Sequence, residues 1–240
     1  LTGLPFVDGL RITQDDRVLR VTIERGDDNL VSMAMCEALI ALLNDPPQGC
    51  HVMHLRAAGP CFCLGRDRGG ANVDVLRYQA ETLVALNRAL VEGHLVTVTE
   101  VAGDAAGFGV SLAALSDISV AASSARFWFP EVDAGLSPAV VLAWLPRLVG
   151  RSQAFRLTAT ATQVDGEEAA RLGLVTRVVS GDELGAEVQA EIDSLLARPL
   201  RAHLEIRAFL VETAGVDLAT VDRMAVDRLV LGSLRLASEK

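Results

Sequence analysis

The chain has 240 residues, half of them hydrophobic, with 31 acidic and 22 basic side chains for a formal net charge of −9. That length suits one large domain or a domain with an appendage; the acidic balance argues against nucleic acid as a partner, while a local basic patch could still hold a phosphate-bearing cofactor. No run reaches the ~18 consecutive apolar residues that span a bilayer, so no membrane partner is expected.

Residues 1–16, LTGLPFVDGLRITQDD, lack a charged segment followed by an apolar one, so no signal peptide is expected. Residues 8–24 read as two strands around a turn at 14–16, with Val18, Leu19, Val21 and Ile23 supplying β-branched and apolar character. Residues 29–44 read as a helix with Met33, Met35, Leu39, Ile40, Leu42 and Leu43 as its apolar set, and residues 51–57 as a third strand. His51 and His54 fall in that strand, and Cys61 and Cys63 stand too close together for a usual zinc knuckle. With Cys36 and Cys50 they are expected to be free thiols in a reducing cytoplasm, with no metal site.

Residues 59–67, GPCFCLGRD, are a loop punctuated by Gly and Pro; taken alone, they read equally well as a plain surface turn. Residues 68–93 start loose, as RGGANVDV, and turn helical from about Val75, which suits a mobile lid. Residues 95–101 are a further strand.

The stretch 103–138, GDAAGFGVSLAALSDISVAASSARFWFPEVDAGLSP, organises the rest. Gly103, Gly107 and Gly109 precede the apolar run from Val110 to Leu115, which reads as a glycine loop feeding a helix N-terminus. The unpaired backbone N–H groups there can face an anionic oxygen. A buried strand follows at 118–122, then Phe127, Trp128 and Phe129, then Pro130 and Glu131. A carboxylate beside apolar rings is desolvated, which raises its pKa and makes it a candidate general base. An anion-stabilising loop plus such a base suits chemistry next to a carbonyl. Two other patterns overlap this stretch. Gly109-Val-Ser111-Leu-Ala113 approaches the nucleophile elbow of serine hydrolases, with His203 as a conceivable base. Gly107-Phe-Gly109 hints at a dinucleotide loop but lacks the third glycine.

Beyond Pro138, residues 140–149 and 151–160 read as helices, and 163–173 as a short helix leading to a strand at 174–179. Residues 182–196, 200–212 and 218–231 read as three more helices, punctuated by Pro199 and Gly215. Strands alternating with helices suggest an α/β fold.

The stretch 103–138 resembles the signature of the crotonase superfamily, also called the enoyl-CoA hydratase/isomerase family. The matching parts are the glycine loop at 103–109, the small-residue helix at 112–115, Asp117, the strand at 118–122, Ala125-x-Phe127 and Pro130-Glu131. Two further motifs match: Phe62-x-x-Gly65-x-Asp67, and Glu168-Ala169-x-x-x-Gly173. The resemblance implies a crotonase-like spiral of ββα units over residues 1–180, carrying an acyl-thioester site. It also implies a C-terminal helical region over 181–240 that covers the site and builds a homotrimer or a dimer of trimers. The backbone N–H groups of Arg66 and Phe108 would form an oxyanion hole and Glu131 would be catalytic. Leu64, Gly65, Asp67, Gly107 and Arg207 would contact substrate, with Arg207 near the cofactor phosphates. Coenzyme A would be part of an acyl-CoA substrate, with no tightly bound cofactor; an acyl-carrier-protein ester is the other form of that substrate.

This chain departs from the hydratase pattern in two ways. Arg66 and Phe108 are bulkier than the small residues common at those positions. Hydratases of the family often place a second glutamate twenty positions before the Pro-Glu glutamate, and Ser111 stands there. One carboxylate can shuttle a proton between two carbons without a water nucleophile. Isomerisation is therefore expected over hydration, with Ser111 the second candidate catalytic residue, able to hold a water. The alternative is a crotonase-like protein that binds an acyl thioester or a carrier protein without turnover.

Overall fold

The computed structural model describes residues 4–70 and 72–238. The chain opens with an antiparallel hairpin of β1 (Leu10–Asp15) and β2 (Val18–Ile23). There follow α1 (Met33–Asn44), β3 (Val52–Ala57), β4 (Cys61–Cys63), α2 (Val73–Glu92), β5 (Val96–Val101), β6 (Asp104–Ala106), α3 (Phe108–Ala114), β7 (Ile118–Ala122) and β8 (Arg126–Trp128). A 3₁₀ turn at Pro130–Ala134 leads to α4 (Ala139–Leu142), α5 (Leu145–Val149), α6 (Arg151–Ala159), β9 (Val164–Asp165), α7 (Gly166–Leu172) and β10 (Arg177–Val179). Three helices close the chain: α8 (Leu184–Leu196), α9 (Leu200–Glu212) and α10 (Leu218–Ser238). The helix expected over 140–149 is two helices. Pro146 occupies the first turn of the second, where its missing N–H is tolerated; in a continuous helix it would break the ladder.

Two sheets form among the described residues. The larger has the order β1-β2-β3-β5-β7-β10, and every pairing beyond the hairpin is parallel. The smaller has the order β4-β6-β8-β9, with β4, β6 and β8 parallel. Successive strands alternate between the sheets: β3 then β4, β5 then β6, β7 then β8. The chain therefore winds as the expected spiral of ββα units, each turn advancing by one strand spacing, about 4.8 Å.

The main core lies among the sheets and helices α1, α2 and α3, with Phe62, Phe127 and Phe129 among its largest fully buried side chains. Asn29, wholly buried at φ 48°, is a polar tie within it. Its Nδ2 donates to the carbonyls of Ala58 and Cys61 at 2.7 and 2.9 Å, and its Oδ1 accepts from Arg25 N, so the start of β4 is held to the end of the hairpin. A second apolar cluster sits on the other face of the large sheet, where Val18, Val52, Val96, Val98 and Val120 lie beneath Leu184, Val188 and Ile192 of α8. By contrast, α10 buries no residue. No described helix is long and apolar enough to cross a membrane. The described residues contain no cluster of three or more His, Cys, Asp or Glu placed to hold a metal.

Candidate active site

The parallel strands β4, β6 and β8 are neighbours, so their C-terminal ends open on the same side. Ligands of open parallel sheets bind outside such ends. The three connections leaving them meet at a cavity of about 490 Å³. From the first connection come Leu64, Gly65, Arg66 and Arg68; from the second, Gly107 and Phe108; from the third, Pro130 and Glu131. Leu30, Leu83, Val140 and Val141 add apolar wall.

Hydrogen bonds set the first two loops. Leu64 N donates to Asp28 O at 2.9 Å, Val31 N to Gly65 O at 3.0 Å, and Asp67 N to Val31 O at 2.9 Å. These bonds skip Arg66, whose N–H has no acceptor among the described residues. In the second loop Gly107 N donates to Trp128 O at 2.9 Å and Val110 N to Gly107 O at 3.1 Å, which leaves the Phe108 N–H likewise without an acceptor. Gly109 brings the loops together: a Cβ there would collide with the Cys63 carbonyl, so only glycine lets α3 lie directly on β4. Arg66 and Phe108, each with an unclaimed backbone N–H, therefore line one cavity from adjacent strand ends.

Glu131 is half-buried, and its Oε2 is buried with no hydrogen-bond partner. Burial pushes its pKa above the usual carboxylate value; its own backbone N–H and the Arg68 and Arg66 charges pull the other way. A carboxylate desolvated in this way holds its proton more tightly and, once ionised, is a stronger base than a solvated one.

A sequence profile described as enoyl-CoA hydratase/isomerase matches residues 13–230. The chain belongs to the enoyl-CoA hydratase/isomerase family. A Mycobacterium bovis relative named "Probable enoyl-CoA hydratase echA8" is 40% identical over 186 residues, 75% of this chain and 72% of its own length. The fold is similar to that of an enoyl-CoA hydratase from Mycobacterium smegmatis, with a TM-score of 0.88 and 26% identity over 94% of this chain and 91% of that one. It is also similar to a Thermobifida fusca protein crystallised in complex with CoA, with a TM-score of 0.86 and 28% identity over 99% of this chain and 100% of that one. This is a crotonase-fold enzyme of acyl-CoA thioester chemistry.

Three residues singled out from the sequence lie outside the cavity wall of this crotonase-fold enzyme. Asp67 turns away to pair with Arg25, Oδ2 to Nη1 at 2.8 Å, and so braces the Arg66 loop. Ser111 is fully buried in α3, and its Oγ has no partner. The nucleophile–base contact that a serine hydrolase needs is therefore absent among the described residues. Arg207 was expected near cofactor phosphates, but the structure gives its guanidinium other partners. Nε donates to Asp117 Oδ1 at 2.9 Å, Nη1 to Gly93 O at 2.6 Å, and Nη2 to Leu95 O at 2.6 Å and Asp117 Oδ2 at 2.5 Å. It is buried beneath α9 and clamps that helix to the body.

One contributor escaped the sequence reading. Gln79 of α2 is buried, donates from Nε2 to Gly69 O at 2.9 Å, and accepts from Arg66 Nη1 at 3.2 Å. Its signal was available: it is a polar residue on the helix face that also carries Leu83, Leu86 and Leu90.

Proposed function

We propose that this enzyme shifts the double bond of an enoyl thioester using Glu131 as its one proton carrier, and that hydration is the minor reaction. The observation that carries this reading is that Glu131 is the sole acid lining the cavity among the described residues. The Glu131 carboxylate takes a proton from the carbon next to the thioester carbonyl. The resulting enolate oxygen accepts hydrogen bonds from Arg66 N and Phe108 N; losing one such donor costs roughly 10²–10³ in rate in well-studied enzymes. The C–H electron pair becomes the new double bond and the old one picks up the proton from Glu131 at its far carbon. Leu64, Gly65 and Gly107 shape the substrate's passage between the loops. Adding water across the double bond would need a second group to hold and deprotonate it, and Ser111 stands buried where a carboxylate would serve.

Measuring exchange of the substrate α-proton with solvent deuterium tests the assignment. Glu131→Gln keeps the side chain's size and removes the base, so exchange should vanish. Undiminished exchange in that variant, or native hydration faster than isomerisation, would overturn it. Binding of acyl thioesters without turnover by the native protein would favour the non-catalytic alternative.

We further propose that residues 181–240 cover the site and build a trimer or dimer of trimers. The exposed Leu210 of α9 and Leu218, Val226, Leu229, Leu231 and Leu234 of α10 support this, because exposed apolar helix faces of that extent seek a partner. Light scattering should give a multiple of three chains; a monomer at micromolar concentration would contradict it.

A further inference from the structure

Arg66 and Arg68 both line the cavity, and neither has an acidic partner within ion-pair distance among the described residues. Arg68 is exposed; Arg66 is not. The Arg66 guanidinium reaches inward to neutral acceptors only: Nη1 donates to Asp67 O at 3.0 Å and to Gln79 Oε1 at 3.2 Å. A guanidinium presents five N–H donors in a planar fork, so Nε and Nη2 keep theirs unclaimed. Burial, followed by the neighbouring Arg68 charge, pulls the Arg66 pKa down, against smaller opposite pulls from Cys36 and Glu131. A desolvated, uncompensated charge is unfavourable unless something pairs with it. In a chain of net charge −9, two nearby arginines line a cavity whose one carboxylate among the described residues, Glu131, lies within electrostatic reach of both but forms no ion pair with either, so two cations face one acid there.

We infer that Arg66 and Arg68 form an anion subsite inside the cavity, and that the acyl group of the substrate carries a carboxylate which docks there. The proposal rests on the acyl-thioester reading above and specifies the substrate class. The direction of Arg66 favours the acyl group over the phosphates of coenzyme A as the source of the anion. Its side chain runs towards the buried Gln79 of α2, whereas a nucleotide carrier needs open solvent around its phosphates. The planar fork suits a carboxylate, which can accept two parallel N–H bonds. Arg66 would then serve twice, its backbone N–H on the thioester oxygen and its side chain on the distal carboxylate, which sets both ends of the acyl chain from one residue.

Equilibrium binding of two unreactive thioesters of equal chain length tests this: succinyl-CoA, with a terminal carboxylate, and butyryl-CoA, without one. Both are also measured as pantetheine thioesters, which lack the nucleotide phosphates. The native protein should bind the succinyl ester at least ~10-fold more tightly than the butyryl ester on either carrier, as a charge-assisted bidentate contact implies. Arg68→Gln, at an exposed position, and Arg66→Met should each cut that ratio several-fold. Equal affinity for succinyl and butyryl esters in the native protein overturns the subsite alone. A loss in both variants that is the same for succinyl- and butyryl-CoA and disappears with pantetheine assigns the arginines to carrier phosphate and overturns the acyl-carboxylate assignment. Failure of every thioester to bind overturns the thioester reading and this proposal with it.

Discussion

The carboxylate of Glu131 lies against the backbone of Gly107: a Cβ placed on Gly107 would stand 2.8 Å from Glu131 Oε1. Gly107 also has φ 51° and ψ −118°, a conformation that residues with side chains avoid. Both constraints act at the residue that delivers the chain to Phe108. The glycine therefore does two jobs, turning the backbone so that the Phe108 N–H is freed and leaving room for the carboxylate beside it.

Gly107→Ala should accordingly damage activity more than stability. Backbone strain of this kind costs about 1–3 kcal/mol, which chemical denaturation would register as a lowered midpoint. Displacing Glu131 and the Phe108 N–H together should lower kcat by about 10²-fold or more. Native-like exchange kinetics in a destabilised variant would show that the contact is only structural.

The raised pKa of Glu131 has opposite consequences for activity and stability. In the proposed role its carboxylate form is the base, so kcat/KM should fall as pH drops through a value raised above that of a solvated carboxylate. For folding, a carboxyl whose folded pKa exceeds its unfolded one binds more protons in the native state between those two values. Stability therefore declines as pH rises through that window and stays lower above it. Glu131→Gln removes this burden. Its melting temperature at neutral pH should exceed that of the native protein while α-proton exchange is lost, and a lower melting temperature would mean that the ionised carboxylate is stabilised by contacts not accounted for.

Ser111→Glu tests the missing second carboxylate. The site is fully buried, so the larger acid should lower the melting temperature. Once a second carboxylate is present, hydration of an enoyl-CoA should rise relative to isomerisation, since general acid–base assistance is typically worth ~10²–10⁴-fold. An unchanged product ratio in a folded variant would show that this position does not govern the choice between reactions.

Arg207 makes a further prediction about assembly of the fold. Arg207 is buried while its partner Asp117 is partly exposed, so losing the pair should cost less than the about 3–5 kcal/mol of a fully buried one, but Arg207→Met would also orphan the carbonyls of Gly93 and Leu95. Asp117 would retain Thr97 N at 2.7 Å and Thr97 Oγ1 at 3.0 Å. The variant should unfold at lower denaturant and expose the α8–α9 connection to protease. A denaturation curve matching the native one would show that α9 is held by its other contacts.

What could be read from residues alone was whatever rests on local chemistry. β7 and α9 fall where apolar periodicity places them, at 118–122 and 200–212. The glycines of 103–109 and the Pro130-Glu131 pair marked the two loops that reach the cavity, because a tight turn demands particular residues wherever it occurs. The small sheet was invisible. Strands β4, β6 and β8 have three residues each and β9 has two, too few to show an alternation, and they exist as strands only because each finds its neighbours through the spiral. For the same reason Arg207 looked like a basic residue on a helix face: its burial depends on Asp117, ninety residues away. The apparent loop positions of Arg66 and Phe108 likewise came to line one cavity only when β4 and β6 paired. Local residue chemistry thus determined which segments turn, which bury and which carboxylate stands beside the aromatic run. Tertiary pairing alone decided that Arg66, Arg68, Phe108 and Glu131 line a single cavity, because strand neighbours are chosen by the whole sheet and not by the few residues that compose each strand.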